Sequence, residues 1–136
     1  MRRAFHSGVF LLLVAGCQLP PERLPLMPLP EDGPPLSYAD TITRARAQAM
    51  AGTEAFYVNR WGDLEDAARG LEQTARFLLK AGDVPVRHRD SLAVKAGDLG
   101  KDALKLRESA KARDVKTANE LLQRIHLTLR ELRAES

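Results

Sequence analysis

From Ser37 onward, apolar residues return every three or four positions with charged and polar residues between them, the periodicity of helices with one buried face. The first run predicts a helix from about Tyr38 to Asn59, with Tyr38, Ile42, Ala45, Ala49 and Phe56 on its inner stripe. A second helix starts near Trp61 or Asp63 and buries Leu64, Ala68, Leu71, Ala75 and Leu78; Asp63, Glu65 and Asp66 suit its positive N-terminal dipole. It ends at Ala81-Gly82-Asp83-Val84-Pro85, a glycine followed by a proline that cannot continue the helix. A third helix covers about Arg87 to Lys111 and aligns Leu92, Ala96, Leu99, Ala103, Leu106 and Ala110. The fourth begins near Asp114 and carries Val115, Ala118, Leu122, Ile125, Leu129 and Leu132.

Four amphipathic stripes joined by short breaks can bury their faces only against one another. The expected fold is therefore an all-α, antiparallel up-down four-helix bundle over 37–136, without strand signals. About 100 residues suffice for such a bundle to close a core. Gly52, Gly70, Gly97 and Gly100 interrupt the helices at up to ~1 kcal/mol each relative to alanine, which marks them as candidates for tight crossings or cofactor approach, or as positions where the helix simply tolerates glycine.

The region before the bundle obeys different rules. Seven of the eight prolines fall between Gln18 and Leu36, which predicts an extended polyproline segment over 17–36 that holds the bundle away from its attachment point. Ahead of it, Arg2-Arg3 precede an apolar stretch from Val9 to Ala15, too short to span a bilayer, and the small pair Ala15-Gly16. This is the layout of a cleavable signal over 1–16. Val14-Ala15-Gly16-Cys17 resembles the lipobox of bacterial lipoproteins, a family whose cysteine is diacylglycerated before cleavage. The resemblance implies a lipidated Cys17, anchorage in the cell envelope, and a leaning toward the outer membrane from Gln18, on its periplasmic side or surface.

Composition narrows the function classes. The chain holds 21 basic and 18 acidic residues. Removing Arg2 and Arg3 with the signal leaves 19 against 18, so the basic balance belongs mostly to the segment lost. With the two signs interspersed, no footprint for nucleic acid is expected. Cys17 is the sole cysteine, so neither a disulfide nor thiol chemistry holds the bundle together. No Glu-x-x-His pair, phosphate loop or Ser/His/Asp set argues for an enzyme. Glu65, Asp66, Glu72, Glu108 and Glu120 alternate with Lys and Arg as on solvated faces.

Of the histidines, His6 leaves with the signal, and His88 falls at the start of the third helix, where solvent exposure is expected. His126 flanks the core stripe of the fourth helix and should touch the bundle interior. The stretch Leu122-Gln123-Arg124-Ile125-His126-Leu127-Thr128-Leu129-Arg130 resembles the last helix of the cytochrome c-prime and cytochrome b562 bundles. In the c-prime branch that helix carries Cys-x-x-Cys-His followed by an aromatic residue and an arginine. On that pattern His126 matches the axial histidine and Arg130 the arginine, while Leu129 replaces the aromatic and Leu122 and Ile125 replace both cysteines. Thioether attachment of haem is excluded.

The resemblance thus implies a degenerate, haem-free bundle with an interaction or structural role and no cofactor, partnered by a second copy or an envelope protein. An alternative is non-covalent haem b held by His126 and Met50, the one bundle methionine, although Met50 is expected to sit several ångströms from the level of His126. A further alternative is a stress- or metal-responsive bundle that binds ions through surface carboxylates and His88.

Overall fold

The computed structural model describes residues 26–133. The signal segment, Cys17 and the first half of the proline-rich stretch lie outside the described residues. Four helices follow one another: α1 (Tyr38–Tyr57), α2 (Trp61–Leu78), α3 (Val86–Ala112) and α4 (Val115–Glu131). Each packs against its neighbours in sequence and α4 returns to α1, which closes an up-down bundle; α2 with α3 and α1 with α2 meet most closely, α1 with α4 least.

Local chemistry sets the boundaries. Ser37 caps α1 by accepting a 3.0 Å bond from the Asp40 amide, and Asp114 caps α4 by accepting 3.1 Å from Thr117. Asn59 and Arg113 take left-handed backbone angles, φ 57° and 53°, in the α1–α2 and α3–α4 turns. Asparagine tolerates that region, whereas arginine pays for its Cβ there. The α2–α3 break follows Gly82 and Pro85 as the sequence requires.

The core is almost all leucine and alanine. Leu64, Leu71, Leu78, Leu99 and Leu106 are wholly buried, as are Ala45, Ala49, Ala68 and Ala103. Each leucine contributes roughly 1.5–3 kcal/mol through burial, and the alanines let the helices approach. Two stripe positions depart from expectation. Phe56 is only partly buried, with its ring edge-on to Trp61 at 5.9 Å, while Ala55 and Gly52 take the interior positions on that turn. Val115, the first residue of α4, is 57% exposed, and the first interior position of that helix is Ala118.

The second half of the proline-rich stretch is not a free spacer. Gln73 on α2 clasps the Leu29 peptide, accepting from its N–H at 2.9 Å and donating to its carbonyl at 2.7 Å. Glu31 pairs with Arg76 at 2.9 Å, and Arg44 donates to the Met27 carbonyl. An extended chain has no internal hydrogen bonds, so a buried amide that offers both a donor and an acceptor can hold it.

Where α1 and α3 begin and α2 and α4 end, polar side chains close the bundle. Tyr38, 1% exposed, donates its hydroxyl to the Leu132 carbonyl at 2.6 Å, and its amide donates to Asp83 at 2.8 Å. Burial raises the Tyr38 pKa. His88, expected in solvent, is instead buried: its ring stacks on Tyr38 at 5.8 Å, and Nε2 lies 2.9 Å from the Arg133 carbonyl and 3.0 Å from Arg87 Nε. A neutral ring nitrogen serves only one of these two partners at a time. Arg87 Nη2 also donates to the Arg133 carbonyl at 2.6 Å, so the end of α4 is pinned whichever tautomer is present.

Candidate functional site

Because α1 and α4 run antiparallel and pack least closely, a groove of about 620 Å³ remains between them. Arg46 and Met50 line it from α1; Gln123, His126, Leu127, Leu129 and Arg130 line it from α4, with Arg133 just beyond that helix. A second depression continues from the first through Met50 and His126 to Thr53, Glu54 and Tyr57. Met50 and Leu127 are each 49% exposed, so apolar surface is open to a ligand along the trough.

The two candidate residues therefore share one groove. His126 is half-buried, and its Nε2 lies 2.9 Å from Thr53 Oγ1. The Thr53 hydroxyl donates to the Ala49 carbonyl at 2.9 Å, which leaves its oxygen to accept from the Nε2 hydrogen of His126. Burial lowers the His126 pKa, so the neutral ring that fits this chain of bonds is also the form its surroundings favour. Thr53 follows Met50 by three residues, so His126 stands about 4.5 Å further along α1 than Met50. Counting residues from the helix ends places His126 nearer the start of α1 than Met50; the structure reverses that offset, and both residues face the same trough.

No protein-family model, curated protein or solved structure matches the chain. The site is accordingly read from its own geometry. Leu122 and Ile125, at the positions matched to the haem-attaching cysteines, are 3% and 0% exposed and belong to the bundle core. The ring nitrogen that would face iron is engaged by Thr53, so a haem held by His126 and Met50 would have to displace that bond. Among the described residues no group of three or more His, Cys, Asp or Glu side chains is placed to hold a metal ion, and His88 is committed to the bundle end. No described helix is long and apolar enough to cross a membrane.

Two features escape a reading of the sequence. The first is a carboxylate: Asp102 is 4% exposed on α3, where it pairs with Arg124 of α4, and burial raises its pKa against the pull of that guanidinium. Glu72, expected on a solvated face, is likewise mostly covered and pairs with Arg107 across α2 and α3 at 3.1 Å. Both positions interrupt otherwise apolar interior turns, the only signal the sequence carried. The second feature is the charge of the groove. Arg46, Arg130 and Arg133 converge on it, and no carboxylate lines the larger depression.

Proposed function

We propose that this chain is a bacterial envelope lipoprotein, anchored through acyl chains on Cys17 in the outer membrane, whose haem-free four-helix bundle is a non-enzymatic interaction module. The observation that carries the haem-free reading is the Thr53–His126 bond: the nitrogen that would face a metal is already satisfied, in a ring that burial keeps neutral. The anchoring half rests on the lipobox pattern and on the step from a proline-rich segment to a bundle. A bundle clasping its own tether at Gln73 suits a module displayed near the membrane.

The test is direct. The full chain recovered from its native membrane should carry a mass increment of acyl groups on Cys17 and show no Soret absorbance, and added haemin should not sharpen a saturable band. An acylated protein with a Soret band lost in His126→Ala would make it a non-covalent cytochrome instead. A mature cysteine without acyl groups would remove the anchor.

A further inference from the structure

Around the α1–α4 groove, cationic and apolar surfaces are segregated along one axis. Arg46 on α1 lies toward the same bundle end as Arg130 and Arg133 at the end of α4, because the two helices are antiparallel. Met50, Leu127 and finally Tyr57, 72% exposed, continue the trough away from that end. From position 46 to position 57 the rim extends about 16 Å at 1.5 Å per residue. None of the three guanidinia makes a side-chain ion pair among the described contacts. This contrasts with Arg60, Arg69, Arg76, Arg107 and Arg124, each bound to a carboxylate. A pinned Arg133 carbonyl holds the last of them at the mouth.

We propose that this groove binds the head and upper acyl chain of an anionic phospholipid, with phosphate at Arg46, Arg130 and Arg133 and hydrocarbon over Met50 and Leu127. Guanidinium forks match phosphate oxygens bidentately, which favours this headgroup over a single carboxylate. The apolar trough excludes a bare anion as the intended ligand. Proximity supplies the source, and this step rests on the lipoprotein reading. Residues 27–31 are held on the bundle, so Met27 follows Cys17 by only ten positions, a reach of about 31 Å in polyproline form. The tether therefore confines the bundle to the lipid surface, although its contacts with Arg44, Gln73 and Arg76 lie on the α1–α2 face and not in the groove itself.

The experiment uses Cys17→Ser protein from residue 17 to 136, which retains every contact described above and carries no acyl chain of its own. Dihexanoylphosphatidylglycerol below its micelle concentration is titrated by calorimetry and by amide NMR, beside inorganic phosphate, laurate and an acidic peptide. Saturable binding is expected, with shifts centred on residues 46–57 and 123–133. Arg46→Gln with Arg130→Gln and Arg133→Gln should weaken binding about a hundredfold, from the usual contribution of basic residues beside anionic lipid. A control that removes equal charge elsewhere, Lys101→Gln with Arg113→Gln and Lys116→Gln, should change it less than threefold. Leu127→Gln should weaken the lipid several-fold while leaving the weak affinity for inorganic phosphate unchanged. The proposal is overturned by no binding, by equal losses in the two triple variants, or by Leu127→Gln without effect. Phosphate, laurate or acidic peptide binding as tightly as the lipid would also overturn it, marking a plain anion, fatty-acid or protein site respectively. Because Cys17 acylation is read separately on the native chain, failure of the groove and failure of the anchor are distinguishable.

Discussion

Substituting alanine for Gly70 should destabilise the bundle, although alanine is the better helix former. A Cβ at Gly70 would lie 2.7 Å from Gln48 Nε2 and 3.2 Å from Gln48 Cδ. Gln48 cannot simply swing aside, since it is 4% exposed and its Oε1 accepts a 2.8 Å bond from the buried Thr74 hydroxyl. Alanine gains about 1 kcal/mol over glycine within a helix. Displacing the amide strands a buried acceptor at about 1–3 kcal/mol, and forcing the side chain off its rotamer adds about 1 kcal/mol. Thr74 loses less, because its one hydroxyl hydrogen can turn to the Gly70 carbonyl, 2.9 Å away. The net expectation is a loss of about 1–3 kcal/mol. Gly97 is the internal reference: a Cβ there meets nothing within 4 Å, so Gly97→Ala should stabilise by about 1 kcal/mol. Urea unfolding followed by circular dichroism measures both. In a Gln48→Ala background the obstacle is gone, and Gly70→Ala should become stabilising. If Gly70→Ala stabilises the unaltered protein as much as Gly97→Ala does, the locked Gln48–Thr74 contact is refuted.

Other outcomes are equally concrete. Arg124→Ala strands the buried Asp102 carboxylate and should cost about 1–3 kcal/mol at neutral pH. Burial already holds the Asp102 pKa above its ordinary value, so acidification toward pH 4 protonates it and the deficit should shrink; a deficit constant with pH would mean that the pair carries no charge-burial penalty. The His126 pKa is lowered on folding, so the unfolded chain binds the extra proton. Its contribution to stability is therefore complete above pH 6.5 and declines as pH falls through the unfolded value toward the folded one; melting curves of the wild type and His126→Gln should converge over that range. Gln73→Ala releases the Leu29 peptide, and protease cleavage within residues 26–33 should quicken while the melting temperature of the helices changes little. Arg113→Gly, at φ 53°, should stabilise by up to ~1 kcal/mol in the same urea assay, because glycine adopts that conformation without a Cβ clash.

What the sequence determined is local and periodic. The four helices and the stripes from Leu64 to Leu78 and from Leu92 to Ala110 follow from spacing alone, because a helix repeats its buried face every 3.6 residues. That 126 and 50 flank core stripes on antiparallel helices was also legible, but not that they line one groove. What lies between elements was not. His88 looks solvated until Tyr38 and Arg133, 50 and 45 positions away, close over it. The proline-rich stretch reads as a spacer until Gln73 supplies the paired donor and acceptor that an extended backbone lacks. Above all, a nearly neutral chain with interspersed charges gave no hint that Arg46, Arg130 and Arg133 would share a groove without a carboxylate. Net charge sums over positions, whereas a binding surface depends on which positions the antiparallel return of α4 brings beside α1.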